Sequence, residues 1–387
     1  MKRRRFLRIR YVVVVILVLW SLLQWKIKPE PEVGQQYTLT LRKQNGKVKT
    51  PLAHLTTVSL ANLPDIRPSD FESFAGDKSL LLSTLRAAGI QQLDADVERL
   101  LPDRERLSHL YGTESPLVLG QETCEAYRDT VPAFQRYVGV AGLFNTGTTA
   151  LTTYLEANLL VPNSVYNWDD RPPDHRYEVP WGKHRLYSIR DKFPLEGFTP
   201  GDYDKVLPIV VVRDPLVWMQ SMCSATYTMR WRHTEAHCPN LVANEADVQH
   251  FQGLQLQQII PAHIPKQNVK STSLLDMWVK WYQEYRDSEQ PHLIVRHEDL
   301  LWNPKAVLEA IRDCVGGTFK SESFVYLVGQ SKWFHNHIKA QTGMISGMIK
   351  YGSGATRLRN LTQFDLQYAR GVLLQSRLMN DFHYRTP

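Results

Sequence analysis

The sequence contains few cysteines, and none of them has the spacing of a metal site. The 387 residues include four, with no C-x-x-C pair, so the cysteines predict no zinc site. In an oxidising compartment one or two disulfides can form. Cys223 and Cys238 are the most local pair, but the sequence does not determine the connectivity of Cys124, Cys223, Cys238 and Cys314.

The excess of positive over negative charge is concentrated in the first ten residues. The formal net charge is +7, and the segment MKRRRFLRIR alone contains six lysines and arginines. No arginine-rich tract and no basic run interleaved with aromatic residues follows it, so the basic composition predicts no nucleic-acid partner. The sequence also lacks internal repeats and low-complexity blocks.

Only one long hydrophobic run is present, and it follows this basic segment. Tyr11–Trp25 has no charge in fifteen residues, and with its flanking residues it approaches the length that spans about 30 Å of hydrocarbon. A cleaved signal peptide needs a small-residue cleavage site, and LLQWKIKPEPE offers none. We therefore predict a cytosolic tail over residues 1–10, a signal-anchor transmembrane helix over 11–27 and a lumenal remainder.

Residues 28–133 are predicted to form a lumenal stem and an accessory region. The first part, to about residue 50, is polar and would hold the next domain away from the membrane. Residues 77–101, DKSLLLSTLRAAGIQQLDADVERLL, have helical spacing, so we expect this part to pack on the main domain. Farther along the chain, NLT at Asn360 is a glycosylation sequon, which is usable if the loop is exposed.

Alternating strand and helix patterns begin near residue 134. YVGVAGLF, VLPIVVV and HLIVRHEDLL have the composition of buried strands, and a segment with helical spacing follows each. This order predicts an α/β domain over residues 134–387, with a parallel β-sheet flanked by helices on both faces. Ligands of such sheets bind beyond the carboxyl ends of the strands, where the glycine and charged motifs of this sequence lie.

A glycine turn follows the first of these strands. From Gly142 the spacing is G-x-x-x-x-G-T-T, the pattern of a phosphate-binding P-loop with Thr148 in place of the lysine. Backbone N–H groups of Thr146–Thr149 and the positive end of the next helix would face an anion. A tight strand-to-helix turn capped by threonine is the alternative interpretation.

A second anion-binding pattern follows the next strand. In VVVRDPLVWMQSMC, Arg213 ends the strand and Ser221 lies eight residues later, about two helical turns on. The planar guanidinium matches phosphate oxygens, and the serine would add a second donor. Taken alone, an R-D-P turn is more often a structural salt bridge or cap.

The two motifs together resemble those of the sulfotransferases that use 3′-phosphoadenosine 5′-phosphosulfate (PAPS). FNTGTTAL is similar to the family's 5′-phosphosulfate loop, and VVVRDPLVWMQSM to its 3′-phosphate site of a strand-end arginine and a serine eight residues on. LIVRHEDLLWNPKAVLEAI resembles the R-x-E-D-L-x-x-x-P segment, KYGSGATRLRNL the basic loop that closes over the donor, and LMNDFHY the final helix end. The resemblance covers about residues 134–387.

This resemblance implies a P-loop-like sulfotransferase fold, PAPS as sulfate donor, 3′,5′-adenosine diphosphate as product and no metal. The donor-binding residues that it implies are Thr146, Gly147, Thr148, Thr149, Arg213, Ser221, Lys350 and Arg357. The lysine of a P-loop contacts the β- and γ-phosphates of a nucleotide. PAPS has one 5′-phosphosulfate and no triphosphate, so a glycine turn without this lysine suits it.

One position departs from the family. Much of the family has a lysine two residues before the glycine of G-T-T, where it contacts the oxygen that bridges phosphate and sulfate; here that residue is Asn145. An amide donates a hydrogen bond without a charge, so another cation must serve the leaving group, or the protein is weakly active or inactive.

The predicted replacement lies in VPWGKHRLYSIRD. Similar enzymes carry a lysine beside the sulfate and a histidine base in a comparable segment. We therefore expect His184 to accept the proton of the acceptor, and Lys183, with Asn145 as a second electrophilic helper, to neutralise the sulfuryl oxygens. A solvated surface loop is the alternative interpretation. Glu298 and Asp299 are alternative bases, although a role in tying a loop is more typical of their segment.

The acceptor is predicted from the compartment. A lumenal enzyme with a short anchor indicates the Golgi membrane and a carbohydrate hydroxyl on a glycoprotein or polysaccharide. Three aromatic residues near the Lys-His segment, Tyr166, Trp168 and Trp181, are candidates to stack on a sugar, although core packing is their commoner use. Two alternatives to the sulfotransferase remain: a P-loop kinase, and a non-catalytic lumenal protein that binds a ligand with the same fold.

Overall fold

The structure is a computed structural model. It divides the chain into two units, Met1–Tyr37 and Thr38–Pro387, and all described residues belong to the second. The predicted tail and anchor, and the polar part of the stem, lie outside the described residues. No helix within the described part of the chain is long and apolar enough to cross a membrane. The described residues are 57–112, 115–163, 177–192, 200–329 and 343–387.

Short strands and helices alternate along these residues. The strands are β1 (Thr57–Val58), β2 (Gln92–Leu93), β3 (Val118–Leu119), β4 (Tyr137–Ala141), β5 (Leu159–Leu160), β6 (Val206–Val212), β7 (Arg230–Trp231), β8 (Ala262–Ile264), β9 (Val269–Ser271), β10 (Leu293–Arg296) and β11 (Thr318–Phe319). The α-helices are α1 (Ser79–Ala87), α2 (Ala95–Leu100), α3 (Arg104–Tyr111), α4 (Cys124–Thr130), α5 (Thr148–Asn158), α6 (Pro215–Ser224), α7 (Glu245–His250), α8 (Leu274–Arg286), α9 (Asp299–Trp302), α10 (Pro304–Val315), α11 (Met344–Gly352), α12 (Gly354–Leu358), α13 (Gln363–Leu374) and α14 (Leu378–Asp381).

The central sheet contains the three strands that the hydrophobic runs predict. Its order is β3-β10-β6-β4; β4, β6 and β10 are parallel, and the short β3 pairs antiparallel at the edge. Since Val206 pairs with Tyr137 and Val212 with Arg296, the carboxyl ends of the three parallel strands meet at one edge. The predicted α/β class, with parallel strands flanked by helices, is confirmed.

Helices cover both faces of this sheet because the strand side chains alternate between two cores. Along β6, Val206, Val210 and Val212 enter one core, with α6 and α8. Leu207, Ile209 and Val211 enter the other, with α4, α5 and α10. All seven residues of β6 are buried, which is the reason for the continuous apolar run.

The region from residue 57 to residue 112 packs on this α/β core, as its helical spacing predicts. Helices α1, α2 and α3 contribute leucines to the same core as α6 and α8. Tyr111 Oη donates to Tyr351 O at 2.8 Å, and Thr84 Oγ1 donates to Trp302 O at 2.9 Å. These described residues therefore belong to the folded body.

A second sheet, β7-β8-β9, is antiparallel. The loop that follows β7 is fastened to the end of α6 by a disulfide between Cys223 and Cys238, the most local pair of the sequence. A second disulfide, Cys124–Cys314, joins α4 to α10. Asn360 is exposed, as a usable sequon requires.

Candidate active site

The glycine turn connects β4 to α5 at the carboxyl edge of the sheet. Gly147 has φ 95°, a left-handed conformation that glycine adopts without strain. A Cβ on Gly147 would lie 2.2 Å from His297 Nδ1, and one on Gly142 would lie 2.6 Å from Thr146 Oγ1. Both glycines are therefore required by close packing at the end of the strand.

The N-terminal turn of α5 supplies the donors that an anion needs. Leu151 N donates to Gly147 O at 3.1 Å, which is the first bond of the helix. The N–H groups of Thr148 and Thr149 precede it and have no carbonyl acceptor in their own helix. Thr146 differs, because its N and Oγ1 both point to Leu143 O, at 3.4 and 2.8 Å. Thr146 thus stabilises the turn from inside.

Arg213 follows β6 and reaches the same turn. Its Nη1 donates to Asn145 O at 2.7 Å, and its guanidinium lies 4.7 Å from the ring centre of Tyr351. Its Nε is buried and has no hydrogen-bond partner among the described residues. Burial lowers the pKa of Arg213 to about 10, although the nearby Glu298 carboxylate opposes the shift. Arg213 therefore stays charged at neutral pH, and a bound anion would satisfy Nε and raise the pKa again.

Ser221 lies on α6, eight residues after Arg213 and partly exposed. Its Oγ donates to Val217 O at 3.2 Å, a bond typical of serine in a helix. Asp214 caps the helix by accepting from Leu216 N at 2.9 Å. The R-D-P turn therefore combines an arginine with spare donors and a structural cap.

The C-terminal loop contacts this turn through Arg357. Its Nε donates to Asp214 Oδ2 at 2.7 Å, and the side chain is buried. Lys350, in contrast, pairs with Asp65 at 2.8 Å, at the border of the accessory region. Ser353 and Thr356 lie between these two cations in the sequence. Their hydroxyl oxygens are buried and have no hydrogen-bond partners among the described residues. Sequence reasoning missed both hydroxyls.

The Lys-His segment meets the turn from the other side. Residues 177–179 run parallel to β4 and lead the chain to the carboxyl edge of the sheet. There, Gly142 N donates to Lys183 O at 2.8 Å. His184 Nδ1 lies 2.6 Å from Gly142 O. Because a carbonyl only accepts, Nδ1 carries the hydrogen, and in the neutral ring the lone pair is on Nε2. This is the tautomer that a general base requires.

Asn145 occupies the position of the family lysine and has a structural contact of its own. Its φ is 62°, in the left-handed region that asparagine tolerates better than most residues. Its Nδ2 donates to Ser221 O at 3.1 Å and to Ala225 O at 2.8 Å. The amide therefore ties the glycine turn to the end of α6.

Glu298 and Asp299 are both occupied by buried contacts. Asp299 accepts two bonds from Arg296, at 2.7 and 2.9 Å. Glu298 accepts from Asp214 N at 3.1 Å and from Tyr384 Oη at 2.8 Å. Burial, followed by repulsion from Asp214, raises the pKa of Glu298 to about 7. The geometry favours the structural interpretation of this segment.

The exposed aromatic residue beside His184 is not one that the sequence suggests. Trp181 is fully buried and donates to Tyr285 Oη at 2.8 Å, whereas Tyr166 and Trp168 lie outside the described residues. Tyr227 instead stacks on Phe144 at 5.3 Å and 13°, and Phe144 lies 4.4 Å from the ring of His184. Tyr227 has φ 52° and is 38% exposed. No sequence pattern marks it.

Comparison of the chain with models of known protein families, with curated proteins and with solved structures finds no match. Among the described residues, no group of three or more His, Cys, Asp or Glu side chains is placed to hold a metal ion. The geometry at the carboxyl edge of the sheet is therefore the basis for assigning a function.

Proposed function

We propose that this protein is a PAPS-dependent sulfotransferase that transfers a sulfuryl group to a hydroxyl of a carbohydrate acceptor. It would be a type II membrane protein of the Golgi, with the α/β domain in the lumen and a sulfotransferase-type fold around the P-loop-like turn. The products would be the sulfated carbohydrate and 3′,5′-adenosine diphosphate.

The observation that carries the proposal is a convergence of three segments. The glycine turn, Arg213 and the Lys183-His184 segment are separated along the chain by up to 71 residues, yet they meet at one edge of the sheet. Gly142, the first residue of the turn, is bonded to both Lys183 and His184. An anion-binding turn and a base of the correct tautomer are thus adjacent.

The donor side fits a nucleotide with separate phosphates at its two ends. The turn has Thr148 where a nucleotide kinase has its lysine, so it suits a 5′-phosphosulfate better than a triphosphate. Arg213 Nε, Ser353 Oγ and Thr356 Oγ1 are buried polar atoms without partners among the described residues. Such atoms cost free energy unless a ligand pairs with them, and a 3′-phosphate offers the acceptors.

The transfer would proceed by in-line displacement. His184 Nε2 accepts the proton of the acceptor hydroxyl as its oxygen bonds to sulfur, and the bond from sulfur to the bridging oxygen breaks. The electron pair of that bond leaves with 3′,5′-adenosine diphosphate. Lys183, buried beside the turn, would neutralise charge on the sulfuryl oxygens.

A non-catalytic binding protein is the second candidate, and Asn145 is the observation that favours it. The Nδ2 group that would replace the family lysine already donates to Ser221 O and Ala225 O. If Lys183 does not serve the leaving group, the site would bind the nucleotide without transferring sulfate.

Transfer of labelled sulfate from PAPS to a panel of glycans, together with binding of 3′,5′-adenosine diphosphate and of ATP, tests the proposal. We expect transfer, and preference for the adenosine diphosphate. His184→Ala should lower turnover about 10²- to 10⁴-fold with nearly unchanged nucleotide affinity, and His250→Ala, at an exposed histidine of α7, should not. Binding without transfer would favour the non-catalytic protein, and preference for ATP a kinase.

A further inference from the structure

A row of three basic side chains crosses the exposed face of the β7-β8-β9 sheet. Arg230 pairs directly with His263, and His263 with Lys270. Directly paired residues of antiparallel strands point to the same face. The opposite face is buried through Trp231, Ala262 and Val269, so the row faces solvent, with Arg230 and Lys270 exposed and His263 partly exposed.

Arg230 and Lys270 carry the two permanent positive charges of the row, one on either side of His263. Among the described residues, no carboxylate forms an ion pair with any of the three side chains. Arg232, just after β7, and Lys266, in the connection between β8 and β9, are also exposed. Internal pairing therefore does not account for the row, whereas an external anion would.

The row lies close to the candidate base. Gln267, in the connection between β8 and β9, donates from Nε2 to His184 O at 3.1 Å. Lys270 is three residues farther along the chain, so its Cα lies within about 11 Å of the Cα of Gln267. At the other end of the row, Arg230 is three residues from Tyr227, whose ring stacks beside His184 through Phe144.

We propose that this row binds the acidic groups of the acceptor, which is therefore a polyanionic polysaccharide carrying carboxylate or sulfate groups. The inference rests on the proposed function, because it identifies the acceptor class of that same site. Neighbouring strands are about 4.8 Å apart, so the two cations Arg230 and Lys270 lie roughly 10 Å apart, with the His263 ring between them. An acceptor with repeated charges matches that extent, and a neutral glycan does not use the charges at all.

Binding of the full chain to immobilised polymers tests this inference. The probes are alginate and chondroitin sulfate as polyanionic polysaccharides, dextran as a neutral one and polyglutamate as an acidic polypeptide. We expect binding to the first two, little to dextran, and weakening as salt rises. Arg230→Ser/Lys270→Ser should weaken polysaccharide binding about two- to thirtyfold.

The matched control is Arg67→Ser/Arg86→Ser, which removes the same charge at two exposed arginines of the accessory region. It should bind the polymers like the unaltered protein. An equal loss in both double variants would overturn the inference, because net charge alone would then be responsible. Equal binding of dextran would indicate a neutral acceptor, and tighter binding of polyglutamate an acidic protein partner; either overturns it.

Binding of 3′,5′-adenosine diphosphate and sulfate transfer are measured on the same samples. If both persist while the polyanions do not bind, the inference about the acceptor fails and the proposed function stands. If the polyanions bind at the row but neither nucleotide binding nor transfer is found, the proposed function fails and the row remains a polyanion site.

Discussion

Two arginines at the carboxyl ends of neighbouring strands have opposite surroundings. Arg296 ends β10 and pairs with Val212, the last residue of β6. Arg213 is the next residue after Val212. Arg296 is fully buried; it donates two bonds to Asp299 and one to Tyr111 O at 2.7 Å. Arg213 donates one bond, to Asn145 O, and its buried Nε donates none among the described residues.

The difference separates a structural arginine from one that has donors to spare for the proposed ligand. A guanidinium has five N–H donors and cannot easily lose its charge. Arg296 uses its Nε, Nη1 and Nη2 groups in hydrogen bonds within the fold, so it has little to offer a ligand. Where burial has removed water and the fold supplies few acceptors, as at Arg213, the remaining donors are available to an anion. Both motifs look alike in the sequence, as a strand that ends in Arg-x-acid or Arg-acid.

The largest expected effect comes from breaking the structural arginine. Arg296→Ala leaves the buried Asp299 carboxylate without its partner, and loss of one member of a buried pair costs about 3–5 kcal/mol. Arg213→Ala should cost less, about 1.5–3 kcal/mol, because it removes one hydrogen bond from a charged group and strands no carboxylate that the arginine pairs with. Urea unfolding of the two variants measures both values. Similar losses at the two positions would contradict the distinction.

The next effect concerns Arg213, the arginine that we propose binds the donor. Arg213→Ala should weaken binding of 3′,5′-adenosine diphosphate about ten- to hundredfold, since charge-assisted hydrogen bonds contribute roughly 1.5–3 kcal/mol. Arg213→Lys should restore affinity only in part, because an ammonium lacks the planar fork. Calorimetric titration measures this, with Arg86→Ala, at an exposed arginine of the accessory region, as control. Unchanged affinity of Arg213→Ala would remove Arg213 from the site.

Features that depend on local pattern were predictable from the sequence. Val206–Val212 is the predicted strand to the residue, because both faces are buried and the run is continuously apolar. The glycine turn and Arg213 were predictable because special backbone geometry and charge at a strand end restrict the residue type. The meeting of Lys183 and His184 with the turn required the resemblance to a family, since spacing alone also fits a surface loop.

Features that depend on contacts between distant residues were not predictable. Lys350 lies in a segment whose sequence resembles a loop that closes over the donor. In the structure it pairs instead with Asp65, 285 positions away. Strands β7, β8 and β9 contain two or three residues each, too few to show alternation. Tyr227 has a positive φ of 52°, which is rare for tyrosine. The neighbouring residues in the sequence do not predict this conformation.

The pH dependence of stability sharpens the comparison at Glu298, which lies between Arg296 and Asp299 in sequence and bonds to the N–H of Asp214. Its pKa is about 7 in the folded protein, above the ordinary value of 4.5, so the folded state binds the proton more tightly. The resulting stabilisation is fully present below pH 4.5 and is lost as pH rises to 7.

The measurement is the free energy of unfolding across this window for the protein and for Glu298→Gln, which cannot titrate. Relative to the variant, the unaltered protein should lose about 1 kcal/mol per pH unit between pH 4.5 and 7. Parallel curves would show that Glu298 titrates normally. An opposite slope would mean that the ionised form is the one that the fold stabilises.

The smallest expected effect is at Asn145, whose carbonyl accepts the single hydrogen bond of Arg213. Asn145→Lys keeps that carbonyl but loses two amide bonds to the end of α6 and places a lysine at φ 62°, so we expect a loss of about 1–2 kcal/mol in stability. Asn145→Gly is the control, because it keeps the backbone conformation and loses the same bonds. If Lys183 serves the leaving group, the rate of sulfate transfer by Asn145→Lys should stay within a few-fold of the unaltered protein. Suppose instead that Asn145→Lys raises the rate tenfold or more, and that His184→Ala leaves the rate unchanged both in the natural chain and in Asn145→Lys. The natural site would then lack its leaving-group cation, and the non-catalytic protein would be the better account of Asn145.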